Sequence, residues 1–161
     1  MPLVWSESMS LAMPAMDRPH EDIVDQLALV EAASDEQLLD AWNALIDHTA
    51  EHFGDEDRWM QATGFAPDNC HSSQHAIVLK IMREGAEKCA KGDLAIVRQM
   101  AYELTVWLPH HVAAMDSGLS LHLKSLGYNT ETGEMDKPEG LPATALTSCR
   151  SRSTLSRSCF R

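Results

Sequence analysis

The chain has 161 residues, 44% of them hydrophobic, enough for one domain with a real core but not for two. Its 24 acidic against 13 basic residues leave a formal charge of −11, which repels polyphosphate and anionic lipid and so argues against nucleic-acid and membrane-surface roles. Cys70, Cys89, Cys149 and Cys159 make no C-x2-C pair, no signal-peptide pattern opens the chain, and no apolar run reaches the roughly 18 residues of a membrane span; the expectation is a soluble, cytoplasmic protein with reduced thiols.

Residues 1–15, with Trp5, Pro14 and several methionines, show no sustained period and read as an N-terminal arm anchored by Trp5. From Asp17 a helical stripe begins, with His20, Ile23, Val24, Leu27 and Val30 at steps of three and four. Ser34 with Gln37 forms a capping-box signature for a second helix, which runs to about Ala62. Its seam is Leu38, Trp42, Leu45, Thr49, His52, Glu56 and Trp59, so two ionisable residues stand at core positions. Gly64 and Pro67 separate it from a third helix, whose stripe is His71, His75, Val78, Met82, Gly85 and Cys89. Gly92 and Asp93 pair a C′ glycine with an N-cap, opening a fourth helix with Val97, Met100, Leu104, Leu108 and His111 on one face.

Four amphipathic helices joined by short loops predict an all-α, antiparallel, up-down-up-down four-helix bundle over residues 16–128. Residues 129–161 lose the periodicity and gain Ser, Thr, Pro, Gly and Arg, which predicts a disordered C-terminal tail.

The polar members of these stripes form one ordered set: His20, His52, Glu56, His71, His75, His111 and Asp116. Residues four apart on a helix differ by about 40° and about 6 Å, so His52 with Glu56, and His71 with His75, each converge on a point. Early positions of the first and third helices lie at the same bundle end as late positions of the second and fourth. All seven residues therefore gather at one end.

Burying such groups without partners costs several kcal/mol each, more than a domain stable by about 5 to 15 kcal/mol can absorb, and a metal removes that objection. Imidazole and carboxylate suit first-row metals from iron to zinc, and seven ligands exceed the needs of one ion, so two ions sharing carboxylates are expected. One spacing resists regular geometry. Asp116 follows His111 by five residues, about 140° around an α-helix, and Pro109 just upstream lacks an amide donor. A kink or loosened turn is predicted there, swinging the carboxylate back toward the metals.

The ordered set resembles the bacterial hemerythrins, non-haem di-iron oxygen-binding proteins. The resemblance covers about residues 5–125. It rests on Trp5, M-D-R-P-H around His20, H-F-G-D-E from His52 to Glu56, H-S-S-Q-H from His71 to His75, and W-L-P-H-H-V-A-A-M-D ending at Asp116. It implies that His71, His75 and His111 hold one iron and that His20 and His52 hold the other. Glu56 and Asp116 would bridge the two Fe ions beside a solvent-derived oxo or hydroxo group. The implied function is reversible dioxygen binding for storage, transport or delivery at the open position of the two-histidine iron, without enzymatic turnover. The alternatives are a di-iron oxidase, peroxidase or nitric-oxide-processing enzyme, and an oxygen sensor. Ferritin-like di-iron enzymes carry more carboxylate and E-x2-H motifs, which favours binding over catalysis here.

The remaining polar residues have plainer readings. His48 stands where an aromatic residue is common in that family; it shares the face of His52 and is expected to support the site or pack in the core rather than bind metal. Asp57 replaces a frequent second glutamate. Asp17 either caps the first helix or bonds a ligand imidazole. His110 points about 100° away from His111, His122 needs no function, and Cys70 is a structural thiol turned from the metal by its adjacency to His71. Trp42, Trp59 and Trp107 read as core.

Overall fold

The structure, a computed structural model, describes residues 3–65 and 69–143. Five α-helices lie among them: α1 (Pro14–Ala32), α2 (Leu38–Ala62), α3 (Cys70–Cys89), α4 (Leu94–His111) and α5 (Ser117–Leu126). Helices α1 to α4 contact one another in sequence and α1 closes against α4, which is the antiparallel up-down-up-down bundle expected from the heptad-like seams.

Each seam is buried as its spacing requires. Ile23, Val24, Leu27 and Val30 of α1 meet Leu38, Trp42, Leu45, Ile46 and Phe53 of α2 in one core with Val78, Met82, Val97, Leu104 and Leu108. Trp42 is fully buried, and its Nε1 donates to the carbonyl of Met82 at 2.9 Å, so the one polar atom of this side chain ties α2 to α3.

The helix ends are set by local chemistry. Gly64 (φ +91°) and Gly92 (φ +99°) take left-handed backbone that favours glycine. Beyond them, Phe65 N–H bonds the carbonyl of Met60, and Asp93 N–H that of Lys88, closing each helix. Asn69 starts α3 by accepting from Ser72 N–H at 2.9 Å; Pro67 lies outside the described residues. Ser34 and Gln37 form a turn before α2, with Gln37 Oε1 accepting from Ser34 N–H at 3.4 Å, and the helix itself begins at Leu38.

Between α4 and α5 the chain forms a π-helix over Val112–Asp116, the loosened turn predicted there. Helix α5 then ends at Gly127 (φ +58°).

The N-terminal arm carries a 3₁₀ turn (Glu7–Met9), buries Met9 and places Trp5 over His20, ring centroids 6.3 Å apart. Asp17 fastens the arm: its carboxylate accepts from Leu11 N–H at 2.8 Å, Met13 N–H at 3.1 Å and Ser10 Oγ at 2.8 Å. Residues 129–143, assigned to the tail from sequence, hold a bridge between Tyr128 and Met135 and a 3₁₀ turn (Pro138–Gly140), and Lys137 N–H bonds the carbonyl of Leu126. The rest of the expected tail, 144–161, lies outside the described residues.

Candidate metal centre

Four helices and the π turn bring all seven ligand-type residues to one end of the bundle. His20 comes from α1, His52 and Glu56 from α2, His71 and His75 from α3, His111 from the end of α4 and Asp116 from the end of the π turn. All seven are buried, with Glu56, Asp116, His20 and His71 at 0% exposure.

Two overlapping groups result. Ligand atoms of Glu56, His71, His75, His111 and Asp116 lie within 4.8 Å of one another, and so do those of His20, His52 and Glu56. Glu56 belongs to both groups. Asp116 also reaches both: one oxygen lies 2.8 Å from His71 Nε2 and 3.2 Å from His111 Nε2, the other 3.1 Å from His20 Nε2. Glu56 Oε2 stands 3.3 Å from His71 Nε2 and 3.4 Å from His75 Nε2, while Oε1 is 3.6 Å from His52 Nε2. Both carboxylates therefore face two clusters of imidazole at once.

The π turn explains how Asp116 arrives there. In a regular α-helix residues five apart point about 140° from each other. The wider i→i+5 turn restores them to one face, and this is why His111 and Asp116 meet.

The electrostatics describe a site made for positive charge. Burial and the neighbouring Asp116 push Glu56 upward, yet His52, His71 and His75 prevail and hold it at about 2. Asp116, although buried, sits well below the ordinary carboxylate range because His111, His20 and His71 surround it. Burial opposes the charge on His71, but the close carboxylates of Asp116 and Glu56 raise it to about 9. His52 moves the other way, to about 4, because burial outweighs the pull of Glu56. Even so, close as they lie, both oxygens of Glu56, both of Asp116 and both ring nitrogens of His20 and His71 form no hydrogen bond of proper geometry. Buried polar atoms are seldom left so, and convergent imidazole and carboxylate donors fit divalent cations.

A supporting ring surrounds this cluster. Asp57 Oδ1 lies 2.9 Å from His75 Nδ1, and Gln74 Oε1 lies 3.2 Å from His111 Nδ1; each contact turns the Nε2 of its histidine inward. Phe53 stacks on His75 at 3.9 Å and Trp107 on His111 at 4.3 Å. The sequence reading noted Asp57 only as a departure and missed Gln74, although Gln74 stands one residue before His75, on the side facing α4.

Of the two residues expected beside the site, neither touches a ligand imidazole through a hydrogen bond. His48 Nε2 lies 3.2 Å from the carbonyl of Pro19, immediately before His20, so it braces the backbone of α1. Asp17 takes the capping alternative and holds the arm. Cys70, expected as a reduced thiol, is disulfide-bonded, whereas Cys89 is buried and free.

Comparison with known proteins gives a consistent result. The model of the hemerythrin HHE cation binding domain matches residues 12–120, a span that contains all seven residues. A bacteriohemerythrin of Ralstonia nicotianae is 37% identical over 128 residues, covering 79% of this chain and 93% of that protein. One from Pseudomonas paraeruginosa is 22% identical over 142 residues, 86% of this chain and 90% of that one. A myohemerythrin of Riftia pachyptila is 24% identical over 115 residues, 71% and 88% of the two chains. No solved structure gives a significant match.

Proposed function

The chain belongs to the hemerythrin HHE cation-binding domain family, and we propose that it binds dioxygen reversibly at a non-haem di-iron centre. His71, His75 and His111 would hold one iron, His20 and His52 the other, and Glu56 and Asp116 would bridge them. The two irons would supply reversible electron exchange with dioxygen. The unequal histidine count, three against two, leaves one ion a protein donor short, which is the requirement for an exchangeable position.

The observation that carries this reading beyond metal binding is the environment of the cluster. A small apolar space of about 10 Å³ lies between the helices behind Phe53 and Trp107, the two rings stacked on His75 and His111, and is also lined by Ile23 and Leu27 of α1, Val78 of α3 and Leu108 of α4, among others. Thr49 supplies the one hydroxyl, and no ionisable side chain lines the cavity. Apolar walls on this side of the cluster offer no general acid, so they favour binding and release over proton-coupled turnover. The same argument ranks an oxidase or peroxidase below a carrier. Among the described residues no helix is long and apolar enough to cross a membrane, and we take the protein to act in the cytoplasm.

The test is anaerobic loading with ferrous iron followed by cycles of air and oxygen removal, watching the visible charge-transfer bands. Colour that forms and disappears over repeated cycles supports the carrier. Irreversible conversion, or sustained oxygen consumption, overturns it.

A further inference from the structure

The metal centre leaves one buried polar group at the same bundle end unused. Ser120 lies on α5, is 2% exposed, and its Oγ has no hydrogen-bond partner among the described residues. A hydroxyl on a helix can satisfy itself on a backbone carbonyl three or four residues earlier. Four others do so here: Thr63 donates to the Trp59 carbonyl at 2.6 Å, and Thr105, Ser117 and Ser125 to those of Tyr102, Ala113 and His122, each at 2.7 Å. Ser120 does not, although it is as deeply buried as any of them.

Helix register identifies the polar group it shares a face with. Asp116 closes the π turn with α-helical backbone (φ −66°, ψ −33°), and Ser117–Leu126 continues as α-helix. Ser120 therefore follows Asp116 by one turn, about 40° around the axis and about 6 Å along it, and both residues are buried. The side chains packed at this level are largely apolar: Met16 lies one turn before His20 and Met60 one turn after Glu56, and they cluster with Leu119 and Leu123. Of the buried polar groups at this level, Thr63 is engaged with the Trp59 carbonyl, and Asn69 with Met60 Sδ and Ser72 N–H. The Asp116 carboxylate is not, since neither oxygen forms a hydrogen bond of proper geometry.

We propose that Ser120 is a positioning residue of the metal centre: its hydroxyl holds one buried water molecule, which donates to a carboxylate oxygen of Asp116. Buried waters occupy such places, between polar groups that do not reach each other directly. Each carboxylate oxygen has two lone pairs, so an oxygen that gives one to a metal ion keeps one for the water. The contact restrains Asp116 from the helix that follows it, whereas Asp57 and Gln74 restrain only histidines. The inference rests on the metal reading of the seven-residue cluster and not on dioxygen.

The experiment uses the full chain loaded with zinc(II), which has no redox chemistry, so its outcome is separate from the carrier reading. A crystal structure should show a water within about 3.2 Å of both Ser120 Oγ and an Asp116 carboxylate oxygen. Ser120 Oγ bonded to a backbone carbonyl, or no water shared with Asp116, would overturn the proposal. Zinc bound away from the seven residues would overturn the metal reading and this inference with it. Ser120→Ala and Ser120→Cys should each release zinc to a chelator about tenfold faster than the unmodified protein. Cysteine is close to serine in size but a weak donor, so fast release in Ser120→Ala with slow release in Ser120→Cys would assign the effect to packing and overturn the proposal. Release at the unmodified rate in both variants would do the same. The water is read in the unmodified protein, which keeps the proposal open to refutation even where a variant folds poorly.

Discussion

His111 and Asp116 stand five residues apart, yet His111 Nε2 lies 3.2 Å from Asp116 Oδ1 because a π-helical turn spans Val112–Asp116. The backbone irregularity and the ligand geometry are one feature: without the wide turn the carboxylate points into another sector of the helix. Inserting one alanine between Ala113 and Ala114 adds about 100° of rotation and turns the carboxylate away from the cluster. The variant should keep its far-ultraviolet helical signal and bind fewer than two metal ions per chain. Two tightly bound ions, counted by metal analysis after gel filtration, would show that the turn is dispensable.

Asp57 is about two-fifths exposed at its side chain, yet it holds the Nδ1 of a ligand-type histidine at 2.9 Å. A carboxylate there fixes ring orientation and raises imidazole basicity, and loss of such partners commonly weakens metal retention by about 10- to 100-fold. Asp57→Ala should release metal to a chelator faster by a factor in that range, with Asp57→Asn, which keeps an acceptor oxygen, falling between it and the unmodified protein. Equal release rates for all three would remove Asp57 from the supporting ring.

Much of the fold, and the convergence of the seven ligand-type residues, was legible because both are periodic. An imidazole or carboxylate at a core position of a heptad-like seam is conspicuous in His52, Glu56, His71 and His75, and topology alone assigns them to one end. The step from His111 to Asp116 was readable as an anomaly for the same reason. Asp57 and Gln74 were not, because their importance arises across helices: each bonds a histidine on a neighbouring helix, and no spacing within one helix reports that. The Ser34 and Gln37 pair shows a related limit, since a capping-box pattern describes side-chain chemistry that also suits a turn just before a helix. Asp17 was ambiguous because its partners are backbone amides of an arm without period.

Metal loading should be proton-linked through His71. In the folded metal-free chain this histidine keeps its proton to about pH 9, against an ordinary value of 6.5, so its pairing with Asp116 and Glu56 stabilises the fold fully below pH 6.5 and is lost as pH rises through 9. A metal must displace that proton. Through His71 the apparent affinity should therefore climb by up to about tenfold per pH unit between 6.5 and 9 and level off above, and His75, also raised by Asp57 and Glu56, adds to the slope in the lower part of that range. His52 does not contribute to this window, being already neutral above about pH 4. Anaerobic titration with cobalt(II) at several pH values reads the slope, and a flat profile above pH 6.5 would contradict the assignment of a protonated His71.

The apolar cavity makes a separate claim that can be tested at Thr49, which lines it and is 4% exposed. Thr49→Asp places a carboxyl group of nearly the same size among Ile23, Leu45, Phe53 and Val78, where burial keeps it protonated at neutral pH. If dioxygen binds at the proposed di-iron centre, a proton donor among these walls supplies what they withhold. The coloured state formed in air should decay faster in this variant by about tenfold or more, with fewer reversible cycles before colour is lost. Thr49→Val, which removes the hydroxyl and keeps the shape, should preserve or lengthen the lifetime. The comparison separates acidity from packing: a decay equally fast in both variants would mean that cavity shape governs reversibility, whereas a change confined to Thr49→Asp means that the absence of a proton donor does.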